Sequence, residues 1–118
     1  MNDDIKQHAL LSISRTVHPA GVQVTACGEI DGDTAGLLGD ALRVDTAGSR
    51  LVLDLGAVTF LDSSSIKVLF AAGQDAVSAG GWLRLAAMTP SVEEVKIVDL
   101  DLPRVIACYP AVSQAHAA

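Results

Sequence analysis

The stretch "RLVLDLGAVTFLDSSSIKVLF", Arg50 to Phe70, contains the transition on which the fold turns. Leu51 to Leu55 is an apolar run broken only by Asp54, which suits a strand covered on both faces or central in its sheet. A short connection leads to Phe60 and Leu61. Beyond Asp62 the period changes. Ile66, Leu69, Phe70, Gly73, Ala76 and Val77 recur at helical spacing, the stripe of a helix that starts near Ser63 and stops at Gly80-Gly81. Three consecutive serines lie between the aspartate and the apolar stripe of this helix. A helix cap at Asp62 or Ser63 accounts for one of them and leaves the others to be explained.

Upstream, "ALLSISRTVHPAGVQVTACGEI" alternates polar and apolar residues on either side of Pro19-Ala20-Gly21, the pattern of a hairpin. A helix follows, with Asp31 or Asp33 as its cap and Ala35, Leu38, Ala41 and Leu42 on one face. Gly36 and Gly39 weaken it by about 1 kcal/mol each, so it leans on tertiary packing. Downstream, "WLRLAAM" reads as a strand. Thr89-Pro90 opens a further helix over "TPSVEEVKIVDL", "VIACY" is a short strand, and a short helix runs from Pro110 to the end. The order β-β-α-β-α-β-α-β-α predicts a single α/β domain over residues 1–118 with a partly parallel sheet. Residues 1–9 are expected to be a flexible or edge-strand N-terminus.

Composition narrows the function. Half the residues are apolar but only four are aromatic, so the core is aliphatic. A net charge of −6 with eight scattered Lys and Arg argues against nucleic acid and against an anionic membrane surface. No apolar run approaches the ~20 residues of a membrane span, and "MNDDIKQHALL" lacks the features of a secretory signal. A cytoplasmic protein is expected, with Cys27 and Cys108 as reduced, mostly buried thiols.

Candidate chemistry fails for want of partners. A nucleophilic serine needs a histidine base, and His8, His18 and His116 lie near the termini and in the hairpin turn, with no GxSxG around Ser63. Asp31-Gly32-Asp33 lacks the spacing of a calcium loop, and no glycine-rich phosphate cradle occurs. Asp54 at the end of its strand resembles the phospho-acceptor of response-regulator receivers. The acidic pair and the lysine which that chemistry needs are missing, so Asp54 is expected to accept loop amides instead. No cofactor, metal or enzymatic activity is expected.

The serines fit a switch better. A helix N-terminus has free N–H groups and a positive dipole end, so it accepts a phosphate without unfolding. Phosphate there adds roughly −1.5 to −2 charges beside Asp62, enough to expel a partner. With the Ile66 stripe facing the core, Ser64, Val68, Ala71 and Asp75 point outward and Lys67 flanks them, forming a small patch suited to docking.

The motifs Gly28-Glu29-Ile30-Asp31, then Asp54-Leu55 and Phe60-Leu61-Asp62-Ser63-Ser64, in this order and spacing, closely resemble the STAS domain of bacterial anti-sigma factor antagonists. The likeness runs from about Leu10 to the C-terminus. It implies a mixed central sheet with helices mainly on one face. It also implies a switch that binds a cognate anti-sigma factor of the serine-kinase type and frees a sigma factor. Phosphorylation of the serine after the motif aspartate, Ser63, with Ser64 as second choice, would dissociate the complex, and a PP2C-type phosphatase would reverse it. Partner contact is expected from Asp31, Asp62, Ser63, Ser64, Ser65, Lys67 and Val68, in a monomer or weak dimer. Two departures are Ser65, where the family usually has glycine, and Lys67, where a small residue is common. The alternative role is a constitutive STAS scaffold subunit of a stress-signalling or lipid-transport assembly.

Overall fold

The computed structural model describes residues 4–7, 10–19, 21–45, 50–88 and 106–117. Strands β1 (Asp4–Gln7), β2 (Leu11–His18) and β3 (Gly21–Ile30) precede helix α1 (Ala35–Asp45). Strand β4 (Arg50–Leu61), helix α2 (Ser63–Ser78), strands β5 (Trp82–Ala86) and β6 (Ala107–Tyr109) and helix α3 (Val112–Ala117) follow. The six strands lie in one sheet in chain order. β1, β2 and β3 pair antiparallel, whereas β3 to β6 pair parallel. The polar β1 is the edge strand left open by the sequence. The helix expected to open at Thr89-Pro90 lies outside the described residues.

The alternation read in the hairpin decides which side of the sheet carries the main core. Leu11, Ile13, Val24, Ala26, Leu51, Leu53 and Leu55 turn one way, and α1 and α2 cover them with Leu38, Leu42, Ile66 and Leu69. Each such side chain contributes about 1.5–3 kcal/mol by leaving water. Among the described residues, the opposite face is more thinly covered. There α3 sets Ala115 against Val52 and Ala86, flanked by Trp82, Tyr109 and Val112. Helices thus lie mainly on one face.

Four expectations need correction. No connection interrupts the strand before Phe60: β4 is continuous over 12 residues. It absorbs the difference in two bulges, since Thr25↔Asp54 is followed by Cys27↔Ala57, and Gly28↔Val58 by Glu29↔Phe60. Asp54 is half-buried rather than buried, and its carboxylate accepts the Gly56 amide across the first bulge at 2.9 Å. Val77, assigned to the core stripe of α2, is 66 % exposed near the helix end. Cys27, expected to be buried, is exposed, because its place in β3 turns it to the face away from α1 and α2. Neither cysteine forms a disulfide.

Candidate functional site

Strands β3 and β4 run parallel, so the loops at their carboxyl ends lie side by side, Ile30 opposite Leu61. That is where open α/β sheets carry their binding sites. Gly28 lets Leu10, just before β2, close on the end of β3. Its φ of +117° is rare for an L-residue, and a Cβ there would collide with the Leu10 carbonyl. That carbonyl accepts the neighbouring Glu29 amide at 2.9 Å, which fixes the strand end.

The turn after β3 is organised by Asp31. Its Oδ1 accepts the amides of Asp33 at 2.9 Å and Thr34 at 3.1 Å, satisfying donors that α1 leaves open. Thr34 is fully buried. Its hydroxyl accepts the Asp31 amide at 2.8 Å and donates to the Glu29 carbonyl at 2.9 Å. The sequence supported Asp31 as a cap but gave Thr34 no role, although an aspartate three residues before a threonine is a recognisable turn pattern.

The turn after β4 is organised by Asp62, the N-cap of α2, whose backbone is extended. One carboxylate oxygen accepts the Ser65 amide at 2.9 Å, the Ser65 hydroxyl at 2.7 Å and the Ser64 hydroxyl at 2.8 Å. Burial pushes this carboxyl up. The Ser65 and Ser64 hydroxyls and the Ser65 and Gly32 amides outweigh that and hold it below the usual aspartate range. The Gly32 contribution links the two turns, as does the Asp62 amide, which donates to the Ile30 carbonyl at 3.2 Å.

The structure therefore brings Asp31, Asp62 and the start of α2 into one corner. Ser63 is the first residue of the helix. Ser64 is exposed, with its Oγ 3.9 Å from where a Cβ on Gly32 would stand. Lys67 is exposed one turn further on. Val68 is half-buried, leaning on the core and lining a groove of about 150 Å³ with Ala35, Gly36, Gly39, Ala71 and Asp75. Ser65 is the exception. Expected to meet a partner, it is fully buried, and its hydroxyl lies 2.9 Å from the Ile30 carbonyl. Its place in the first turn of α2 aims it back at β3 and away from solvent.

Two further features were invisible in the sequence. Phe60, two residues before Asp62, is 47 % exposed. At the other end of β3, His18 and His116 stack with ring centroids 3.7 Å apart, although 98 positions separate them. Among the described residues, no group of three His, Cys, Asp or Glu side chains is placed to hold a metal. No described helix is long and apolar enough to cross a membrane.

A small α/β domain with a mixed sheet, helices mainly on one face and a polar corner beyond two parallel strands is the class that these features define. The STAS domain family model matches residues 8–115, and the chain belongs to that family. Among solved structures it is similar to an anti-sigma factor antagonist from Mycobacterium paratuberculosis, at 28 % identity and a TM-score of 0.82, covering 91 % of this chain and 92 % of that one. In fold it also resembles a putative anti-sigma factor antagonist from Thermotoga maritima, at 21 % identity and TM-score 0.73, covering 87 % and 90 %. The Bacillus cell fate determinant SpoIIAA in its phosphorylated form is similar at 14 % identity and TM-score 0.63, covering 96 % and 95 %. A search of curated proteins found no significant match.

Proposed function

We propose that this chain is an anti-sigma factor antagonist whose binding is switched off by phosphorylation of Ser63. In this reading it has no catalytic activity of its own. It acts in the cytoplasm, where it engages a serine-kinase-type anti-sigma factor through Asp31, Asp62, Ser63, Ser64, Lys67 and Val68, and a PP2C-type phosphatase resets it. The observation that carries the proposal is the corner itself: a serine opens a capped helix beside two acidic turns, within a domain similar to an antagonist over nearly its whole length. Burial removes Ser65 as an acceptor, and the Ser64 hydroxyl is engaged by Asp62, which favours Ser63. Phosphate on Ser63 would add about −1.5 to −2 charges to a rim already carrying Asp31 and Asp62, repelling an acidic partner surface while the fold stays intact.

The test is a pull-down from the source cell's lysate with wild type, Ser63→Asp and Ser63→Ala, read by mass spectrometry. A kinase-like anti-sigma factor retrieved by wild type and Ser63→Ala, and reduced at least about tenfold with Ser63→Asp, is the expected result. Retrieval of one non-kinase assembly by all three would favour the scaffold role.

A further inference from the structure

The Ser65 hydroxyl has one proton and two acceptors, Asp62 Oδ1 at 2.7 Å and the Ile30 carbonyl at 2.9 Å. Both acceptors are tied to the corner's other parts. Ile30 ends β3, is fully buried, and leads directly into the Asp31 turn; its carbonyl also accepts the Asp62 amide. Asp62 caps α2 and takes further donors from Ser64 and from the Ser65 backbone. Ser65 thus reaches both the cap of its own helix and the root of the neighbouring turn.

A buried hydroxyl is retained at a cost unless it is bonded, and this one has a choice of bonds. Whatever changes the load on Asp62 changes that choice. A new donor or a new negative charge at the helix mouth alters how strongly Asp62 competes for the Ser65 proton, and the Ile30 carbonyl gains or loses it accordingly. The route is short and local, and its Ser65–Ile30 half is buried, where a hydrogen bond is stronger than in water.

We propose that Ser65 is a positioning residue whose buried hydroxyl clamps the first turn of α2 to the end of β3, so that a charge change at Ser63 is transmitted to the Asp31–Thr34 turn. The purpose of that transmission rests on the proposed switch; the clamp itself does not. Removing the hydroxyl leaves the Asp62 amide and the Gly32 contact to hold the turns together, and the two sides of the corner then respond separately.

The experiment needs no partner. Amide and side-chain carboxyl resonances are followed by NMR in wild type, Ser63→Asp, Ser65→Ala and the double variant, with Ser65→Thr as the variant that restores the hydroxyl. In the Ser65 background the Ser63→Asp change is expected to shift the amides of Gly32, Asp33 and Thr34; in the Ser65→Ala background the shift falls at least about twofold, and Ser65→Thr recovers it. Ser65→Ala should also raise the pH at which Asp62 titrates and speed exchange of the Asp33 and Thr34 amides several-fold. Equal shifts at Gly32–Thr34 with and without the hydroxyl would overturn the proposal, even if the pull-down succeeds. If Ser65→Ala does not fold, Ser65→Cys, which keeps the volume and weakens the donor, carries the same comparison.

Discussion

The two ends of β3 handle their polar groups in opposite ways. At the Ile30 end, the Asp31, Thr34, Asp62 and Ser65 side chains all have hydrogen-bond partners, and Asp62 serves three donors with one oxygen. At the other end, roughly 20 Å away along the strand, His116 Nε2 lies 3.2 Å from Gln23 Oε1 while its Nδ1 is buried with no partner. Gln23 Nε2 lies 3.2 Å from Thr25 Oγ1, and in this amide orientation His116 donates from Nε2 to Gln23 Oε1. One end is saturated and built to hold its shape. The other docks a six-residue helix, α3, through ring stacking and an incompletely satisfied imidazole. The difference suggests a domain whose presented surface is stiff and whose opposite face is held more loosely.

The sharpest way to break the saturated end is Gly28→Ala. A Cβ there collides with the Leu10 carbonyl in a backbone conformation that alanine resists. The expected loss is about 3 kcal/mol, a fall in Tm of roughly 10 °C by thermal denaturation. A change under about 0.5 kcal/mol would mean that the β3 end yields easily, and the contrast between the ends would collapse.

Asp62→Ala should come next, at about 2 kcal/mol, because it removes the α2 cap and strips an acceptor from three donors. Ser64→Ala, at an exposed hydroxyl, should cost less than about 0.5 kcal/mol in the same denaturation series. If the two variants proved equal, Asp62 would be an ordinary surface residue.

At the looser end, Arg84 holds α3 from the sheet. Its guanidinium lies 3.6 Å above the Trp82 ring and 5.8 Å from that of Tyr109, and its Nη1 donates to the Ala115 carbonyl at 3.0 Å. Arg84→Met keeps much of the packing and loses the cation–π contacts and the bond to the Ala115 carbonyl, about 1 kcal/mol, and α3 amides should exchange faster while those of α2 do not change.

The contrast also explains what could be read from the sequence. The hairpin, the two strand-to-helix transitions and the cap at Asp62 depend on neighbours a few positions apart, so periodicity and turn chemistry were enough. That Asp31 and Asp62 share one rim came from the family resemblance, and the structure supplies the reason: each follows a strand, and parallel strands align their ends. The burial of Ser65 was missed although it lies four residues before Leu69 and seven before Ala72 on the buried face of α2; what no local pattern shows is its acceptor, Ile30, 35 positions earlier. The bulges in β4 were hidden for a related reason: Gly56 reads as a turn residue until the strand beside it is known. The histidine stack, joining β2 to the last helix, leaves no local trace at all.

Acidification separates the two ends most finely. Burial, and then the charge that His18 would share with it, lower the affinity of His116 for a proton in the folded state. In the unfolded chain His116 titrates near its ordinary value of about 6.5. The unfolded state therefore binds more protons once the pH drops below that value, and stability present above it is lost as the pH falls through the folded value. Asp62 is also depressed, but its window opens only below about pH 5, where the unfolded carboxyl begins to protonate. Between about pH 7 and pH 5 the histidine end should weaken while the Asp62 corner does not. Tm should fall across that interval, with faster amide exchange in α3 and none in the first turn of α2. His116→Phe, which keeps a ring against His18, should flatten the fall. A pH response of equal size in His116→Phe would place the titrating group elsewhere, whereas loss of α2 protection at pH 5 would show that the corner is not the rigid end of the strand.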